Sequence, residues 1–327
     1  MASACAGRLL WKVTTGACLA SIALSGLAQQ PYPNRPLRLI IPLAPGGTTD
    51  IMARTMSQQL AAELGQSVVA ESRSGAGGTV GTDIVAKSPP DGYTLLIISA
   101  DTYTTNAVFY STLPYDSRKD LRTLSMLAAS PSILTVHPSL PAKTVKELVA
   151  LSKSRPTDLN YGSGGTAGML RMELLKFNTG MIITNIPYKG SGPALIDQVA
   201  GHTHAGFFNL VATAPFVDSG RLRGLVVTGG KRSDRLPKVP STVESGIKGF
   251  DENIGYVMMV PSATPAAIVA RLNTSIVKVL HSPEVKGRLA AEGSDVVGST
   301  PEQAQAVILK QIDQWADLVK RTGIKLQ

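Results

Sequence analysis

Two glycine-rich segments each follow a short apolar run and precede a helical pattern of apolar residues. We call residues 44–48 (APGGT) the first glycine turn and residues 162–166 (GSGGT) the second glycine turn. A strand that passes through a tight turn into a helix is the repeating unit of an α/β sheet. The first N–H groups of such a helix have no backbone partner, so each turn can also bind an anion. Neither turn contains a nucleophile–base pair or a group of metal ligands.

The first 28 residues have the pattern of a secretory signal peptide. Arg8 and Lys12 precede an uncharged, apolar run over residues 13–27, and the small residues Gly26 and Ala28 suit signal-peptidase cleavage. An uncleaved N-terminal anchor is the alternative, although this apolar run is short for a membrane span. We expect cleavage near Ala28, a periplasmic location, and no membrane insertion of the mature chain.

The composition of the chain disfavours several classes of function. Both cysteines, Cys5 and Cys18, lie in the predicted signal peptide, so the mature chain would have no disulfide, zinc–thiolate site or cysteine nucleophile. Loss of the signal peptide would lower the formal net charge from +9 to +7. The basic residues are spread along the chain and aromatic residues make up only 5%, which disfavours nucleic-acid binding. A basic surface that attracts anions is the better interpretation.

Strand and helix patterns alternate along the chain in two blocks. The first block, up to about residue 99, reads βαβαβ, and a second α/β block follows Pro131. A last strand and two helices, which begin near residues 264 and 300, follow the second block, and Thr300 and Gln303 form a capping-box pattern at the start of the second of these helices. We therefore predict an α/β fold with two lobes, each a mainly parallel sheet flanked by helices. The first lobe would comprise residues 29–135 and 250–327, and the second would comprise residues 136–249.

Seven segments of the chain match one known family in the same order. They are residues 33–50 (PNRPLRLIIPLAPGGTTD), 75–81 (GAGGTVG), 90–96 (PDGYTLL), 113–116 (LPYD), 140–148 (LPAKTVKEL), 187–195 (PYKGSGPAL) and 240–246 (PSTVESG). Through these segments the chain resembles the substrate-binding proteins of tripartite tricarboxylate transporters, also called Bug receptors. Any one segment is a weak match, but together they span nearly the whole mature chain and are highly specific.

The resemblance implies a periplasmic receptor whose two lobes close on a ligand, as in type II periplasmic binding proteins. It implies capture of a small mono-, di- or tricarboxylate and delivery to a membrane transporter of the tripartite tricarboxylate type. In the family, backbone N–H groups and small polar side chains hold the ligand carboxylate, and an arginine clamp is not typical. Members commonly have His-Leu after the second glycine turn, where this chain has Met169 and Leu170. That difference leaves the identity of the ligand open.

Candidate ligand contacts lie at strand ends and at the helix starts that follow them, where open α/β sheets bind ligands. Each candidate could instead have a purely structural role, in a tight turn, in a loop or in the packing between elements. Asp50 is expected to hold the first glycine turn, since it would repel an anion. The predicted ligand-binding residues are Gly46, Gly47, Thr48, Gly77, Gly78, Thr102, Tyr103, Ser163, Gly165, Thr166, Tyr188, Ser191, Gly192 and Asn209.

Other chemical patterns in the chain carry weaker signals. Residues 162–167 fit the spacing of a dinucleotide-binding motif, but no acidic residue follows at the expected distance. His202 and His204 would share one face of a strand, yet no third metal ligand is evident. No serine lies in a Gly-x-Ser-x-Gly motif. We therefore expect no cofactor, no bound metal and no catalytic residue.

The expected function is that of an extracytoplasmic solute receptor, acting as a monomer and closing about a hinge near residues 135 and 250. A sensor that presents a bound carboxylate to a signalling partner is the first alternative. A periplasmic enzyme acting on a carboxylate is the second alternative, and the lack of a catalytic motif argues against it.

Overall fold

The structure, a computed structural model, describes residues 32–250, 253–291 and 293–323. By their internal contacts, the described residues from Arg35 onward form one compact unit. The predicted signal peptide, residues 1–28, lies outside the described residues. Within the described ranges, no helix has both the length and the apolar character needed to cross a membrane.

Strands and helices alternate through most of the described chain, because apolar runs are separated by glycine, proline and Asp-Gly turns. The strands are β1 (Leu37–Ile41), β2 (Val68–Ser72), β3 (Thr94–Ser99), β4 (Leu121–Ser130), β5 (Ser132–Val136), β6 (Asn160–Ser163), β7 (Thr184–Pro187), β8 (Ala205–Asn209), β9 (Arg223–Val227), β10 (Ile254–Pro261) and β11 (Asp295–Val296). The helices are α1 (Thr48–Leu64), α2 (Thr79–Ala86), α3 (Ala100–Phe109), α4 (Val145–Ser154), α5 (Thr166–Thr179), α6 (Ser191–Val199), α7 (Leu210–Asp218), α8 (Ala266–Leu280), α9 (Pro283–Ala291) and α10 (Pro301–Thr322).

The strands form two sheets. The first sheet has the strand order β11-β4-β10-β3-β1-β2, and the second sheet has the order β7-β6-β8-β5-β9. Strands β1, β2 and β3 are parallel, as are β6, β7 and β8. Strand β10 runs antiparallel to both β3 and β4, and β5 runs antiparallel to both β8 and β9. The predicted α/β fold with two helix-flanked sheets is confirmed. The sheets are not mainly parallel as predicted, because two of five neighbouring strand pairs in the first sheet and two of four in the second sheet are parallel.

The chain passes between the two sheets at two places. Only Pro131 separates β4 of the first sheet from β5 of the second sheet. The chain returns to the first sheet between Val227, where β9 ends, and Ile254, where β10 begins. These crossings lie near the hinge positions expected from the sequence, and the lobe boundaries themselves stay a prediction.

Helix α10 packs its apolar face on the first sheet. Its start carries the capping box expected from the sequence, in which Thr300 and Gln303 bond to each other's backbone N–H groups. Ile308 and Ile312 are buried in one cluster with Leu96 and Val257 of the sheet. The C-terminal helix is therefore part of the core built on the first sheet.

Replacing Ile308 by alanine should show how much this packing stabilises the fold. Ile308 is fully buried, whereas its neighbour Val307 is 39% exposed. We expect Ile308→Ala to lower the free energy of unfolding by about 2–5 kcal/mol because it leaves a cavity. Val307→Ala should change it by less than about 0.5 kcal/mol. Urea unfolding of both variants measures this difference, and equal effects would contradict the packing of α10 described here.

Candidate functional site

Helices α1, α5 and α6 each have a glycine at the N-cap and no side-chain cap, a feature that α2 shares through Gly78. The N-cap residues are Gly47 for α1, Gly165 for α5 and Gly190 for α6, and none of them can supply a capping hydrogen bond. In contrast, Ser99 caps α3 and Thr144 caps α4 through their side-chain oxygens. The first N–H groups of α1, α5 and α6 therefore depend on a partner other than a capping side chain.

The starts of these three helices surround one cavity of about 50 Å³, which we call the first cavity. It lies where elements of the first sheet meet elements of the second sheet, since α1 and α3 follow strands of one sheet and α5 and α6 follow strands of the other. The predicted ligand-binding residues that line it are Gly47, Thr48, Thr102, Gly165, Ser191 and Asn209.

Asn209 has a buried hydrogen-bond donor at this cavity. Its Oδ1 atom accepts from Thr48 Oγ1 at 3.1 Å, from Ser130 Oγ at 3.2 Å and from Val211 N at 2.9 Å, the last of which caps α7. The side chain is 7% exposed, and its Nδ2 atom has no hydrogen-bond partner among the described residues. A buried donor without a partner costs about 1–3 kcal/mol, so this amide favours a ligand that brings an acceptor.

Tyr256 adds a neutral hydroxyl to the wall of the first cavity. Burial raises the pKa of its phenol, and a hydrogen bond with Thr48 opposes this shift. The side chain therefore remains protonated at neutral pH. The cavity gains a polar group without gaining a negative charge.

A buried ion pair joins the elements on the two sides of the first cavity. Arg171 of α5 donates from Nη2 to Asp101 Oδ2 in the first turn of α3, and from Nε to Ser132 Oγ at 3.2 Å. Arg171 is 8% exposed and lines the cavity, while Asp101 is 3% exposed. The carboxylate of Asp101 neutralises the guanidinium, so this arginine adds little net charge to the site.

The first glycine turn contacts residues 189–193, which precede and open α6. Ala44 N donates to Lys189 O at 3.2 Å. A Cβ atom on Gly190 would lie 2.8 Å from Ala44 N, and one on Gly192 would overlap the Pro45 carbonyl oxygen. Only glycine allows these main chains to come so close. Gly192 therefore serves this contact and does not line the cavity.

Gly46 is also outside the cavity lining. Its N–H donates to Asp50 Oδ2 at 3.1 Å, so this carboxylate holds the first glycine turn as its sequence position suggested. Asp50 Oδ1 also accepts from Arg54 Nε at 2.9 Å. The N–H of Gly46 thus has an intramolecular partner.

Other predicted residues have side-chain or backbone contacts away from the cavity lining. Tyr103 is fully buried and donates to Ser117 O at 2.8 Å, and Tyr188 donates to Asp197 Oδ2 at 2.7 Å. Thr166 donates to Asn106 Oδ1 at 2.6 Å. The remaining three bond through their main chains: Gly77 O accepts from Asn106 Nδ2, Gly78 N donates to Gly75 O, and Ser163 O accepts from Tyr188 N.

Several residues that line the first cavity are not among those predicted from the sequence. Arg171, Ser132, Phe207 and Tyr256 belong to this group. Ser132 begins β5 immediately after Pro131, so its position at a crossing between the sheets was the available signal. Met169 does not line the cavity, and its Sδ atom accepts from Asn185 Nδ2 at 3.0 Å.

Comparison with known proteins gives the same class of fold. A chain described as R. palustris Rpa4515 with adipate superposes with a TM-score of 0.86 and 35% identity, covering 90% of this chain and 99% of that chain. MatC from Rhodopseudomonas palustris with bound malate superposes with a TM-score of 0.85 and 29% identity, covering 88% and 100%. The periplasmic binding protein BugD superposes with a TM-score of 0.87 and 32% identity, so the two helix-flanked sheets have the fold of periplasmic binding proteins.

The sequence comparisons identify the family. The model of the tripartite tricarboxylate transporter family receptor matches residues 52–324. Protein BugT of Bordetella pertussis is 37% identical over 313 residues, which is 94% of this chain and 96% of that protein. This chain belongs to the tripartite tricarboxylate transporter receptor family, and the resemblance stated from its sequence motifs is confirmed.

Proposed function

We propose that this protein binds a small carboxylate in the first cavity and delivers it to a membrane transporter of the tripartite tricarboxylate type. The observation that carries the proposal is the set of donors at this cavity. Three helix starts lack side-chain caps, and Asn209 Nδ2 is buried without a partner among the described residues. A carboxylate supplies the oxygen acceptors that these groups lack.

The electrostatics of the cavity favour an anion. The positive charge comes from the helix starts, so an unpaired cationic side chain is not needed for binding. Each helix start carries partial positive charge, which stabilises an anion by up to about 2 kcal/mol in a partly buried position. The guanidinium of Arg171 is neutralised by Asp101 and does not demand a second carboxylate. Family relatives with bound adipate and malate support the same ligand class for this chain.

Binding requires the two sides of the first cavity to separate and then close. A volume of about 50 Å³ accommodates a few water molecules, so a dicarboxylate cannot enter this arrangement without an opening motion. The crossings at Pro131 and at residues 228–253 connect the two sheets and would act as the hinge. The contact between the first glycine turn and residues 189–193 would form on closure.

A thermal-unfolding screen against small acids, including adipate and malate, tests the proposal. An acid that binds only the folded protein stabilises it by about 2.7 kcal/mol at 100 times its dissociation constant. We expect a rise in melting temperature with at least one acid of the panel. NMR spectra of the same mixtures should show the acid unchanged. No rise with any acid would contradict the receptor function, and conversion of an acid would indicate an enzyme.

The same screen on Asn209→Asp tests the role of the buried amide. Aspartate keeps an oxygen to cap α7 but replaces the Nδ2 donor with a second, negatively charged oxygen. We expect the acid to bind at least about 10-fold more weakly, since a hydrogen bond to a charged group contributes about 1.5–3 kcal/mol. The control is Asn178→Asp, the same change at an exposed residue outside the first cavity. Equal affinity in both variants would remove Asn209 from the site.

Gly192→Ala tests the closing contact. Because its methyl group would overlap the Pro45 carbonyl oxygen, we expect the first glycine turn and residues 189–193 to stay apart. The acid that binds the native protein should then bind more weakly, and its addition should no longer reduce the radius of gyration measured by small-angle X-ray scattering. Gly287→Ala, also within a helix but with open space around its Cβ position, should behave like the native protein. A native contraction in Gly192→Ala would contradict this closing contact.

A further inference from the structure

A second cavity, of about 320 Å³, lies beside the first cavity and shares Arg171 with it. Helix α10 forms one wall through Gln311, Gln314 and Trp315. Helix α5 contributes Leu174, and Phe250 contributes from the segment that returns to the first sheet. Its walls thus come from elements on both sides of the crossings between the sheets, and its volume is in the range of small-molecule sites.

A single layer of hydrogen-bonded polar residues separates the two cavities. Arg171 bonds to Asp101 on one side and to Ser132 Oγ on the other, and Ser132 N donates to Thr228 Oγ1 at 2.8 Å. Ser132 lines the first cavity, whereas Asp101 and Thr228 line the second cavity. Because the groups of this layer are bonded to one another, the second cavity is a separate compartment with its own lining.

The lining of the second cavity favours an uncharged ligand. Asp101 is paired with Arg171, and Asp317 is paired with Arg321 at 2.8 Å, so neither sign of charge predominates. Half of the other lining residues are apolar or aromatic, namely Leu174, Phe250, Trp315 and Leu318, and the rest are uncharged. A neutral ring can bury its surface against these side chains without separating either ion pair.

Gln311 lines the second cavity, and its buried side-chain oxygen, Oε1, lacks a hydrogen-bond donor among the described residues. A buried amide oxygen without a partner has lost its hydrogen bonds to water and gained none in the protein, which is unfavourable for the free energy of folding. A ligand with an N–H or O–H group beside its ring would supply that bond, while a purely apolar ligand would leave the oxygen unpaired.

We propose that the second cavity is a binding site for a small, neutral, cyclic molecule that carries one hydrogen-bond donor. Its ring lies against Trp315 and Phe250, and its donor bonds to Gln311 Oε1. This site goes beyond the proposed function, because it is distinct from the cavity assigned to the carboxylate.

The site would also couple to carboxylate binding, and this part of the inference rests on the proposed function. An occupant of the second cavity contacts α10 on one side and α5 on the other, so it favours the arrangement in which these helices lie close together. The same arrangement encloses the first cavity. Each ligand should therefore increase the affinity for the other by the same factor, which thermodynamic linkage requires.

Fluorine NMR with benzamide as the probe tests the site directly. The full chain has two tryptophans, Trp11 and Trp315, so protein labelled with 5-fluorotryptophan gives two resonances, which Trp315→Phe assigns. We expect benzamide to shift the Trp315 resonance saturably, and toluene, which has no donor, to shift it only at higher concentration. An unchanged Trp315 resonance up to the solubility limit of benzamide would overturn the proposal.

Two variants separate specific binding in this cavity from weak surface contact. Gln314→Phe places a ring in the cavity wall and should weaken benzamide binding at least about 10-fold, a change of about 1.4 kcal/mol. Its control is Ala306→Phe, at an exposed position of the same helix outside this cavity, which should bind benzamide as the native protein does. Gln311→Leu should abolish the preference for benzamide over toluene. Native benzamide binding by Gln314→Phe, or a retained preference in Gln311→Leu, would contradict the site.

The coupling is measured with the acid that gives the largest thermal shift in the screen. Its dissociation constant should fall in the presence of benzamide, and that of benzamide should fall by the same factor in the presence of the acid. If no acid binds, the proposed function fails while the fluorine titration still decides the second site. If both ligands bind independently, the second site stands and its coupling to closure is wrong.

Discussion

The helix starts of α1, α5 and α6, which have no side-chain cap, are the constraint on which the rest of the site depends. Glycine at each N-cap removes the side chain that would otherwise accept from their N–H groups. Each start also carries part of the helix dipole, which is favourable beside a negative charge. The three helix starts and the buried amide of Asn209 lie around one cavity. This cavity can therefore bind an anion through uncharged hydrogen-bond donors. Arg171, the cationic side chain in its lining, is already balanced by Asp101.

The glycines in these turns also bring the two sides of the site together. Gly190 and Gly192 allow residues 189–193 to touch the first glycine turn, and any side chain at either position would meet its backbone. The segments that carry the helix starts are thus the segments that meet across the first cavity. The proposed binding of an anion and the proposed closure around it would therefore depend on the same segments. Arg171 extends this arrangement by forming part of the layer between the first and second cavities.

Features that depend on residues close together in the chain could be predicted from the sequence. Contacts between side chains that are far apart in the chain could not. The α/β fold, the glycine turns and the capping box of α10 each follow from residues close together in the chain. The pairing of Asp101 with Arg171 joins residues 70 positions apart, and a single sequence gives no signal that connects them. Tyr103 illustrates a different limit. Helix α3 begins directly after β3, and its rotation directs this ring into the core rather than toward the cavity. Such a rotation is set by packing and not by the position of a residue after a strand.

The decisive experiment is a crystal structure of the complex with the acid selected by the screen. We expect the carboxylate oxygens to accept hydrogen bonds from N–H groups at the starts of helices on both sides of the first cavity and from Asn209 Nδ2. We also expect Asp101 to remain bonded to Arg171. A carboxylate bonded to the Arg171 guanidinium in place of Asp101, with those N–H groups facing only protein or water, would contradict this binding mode.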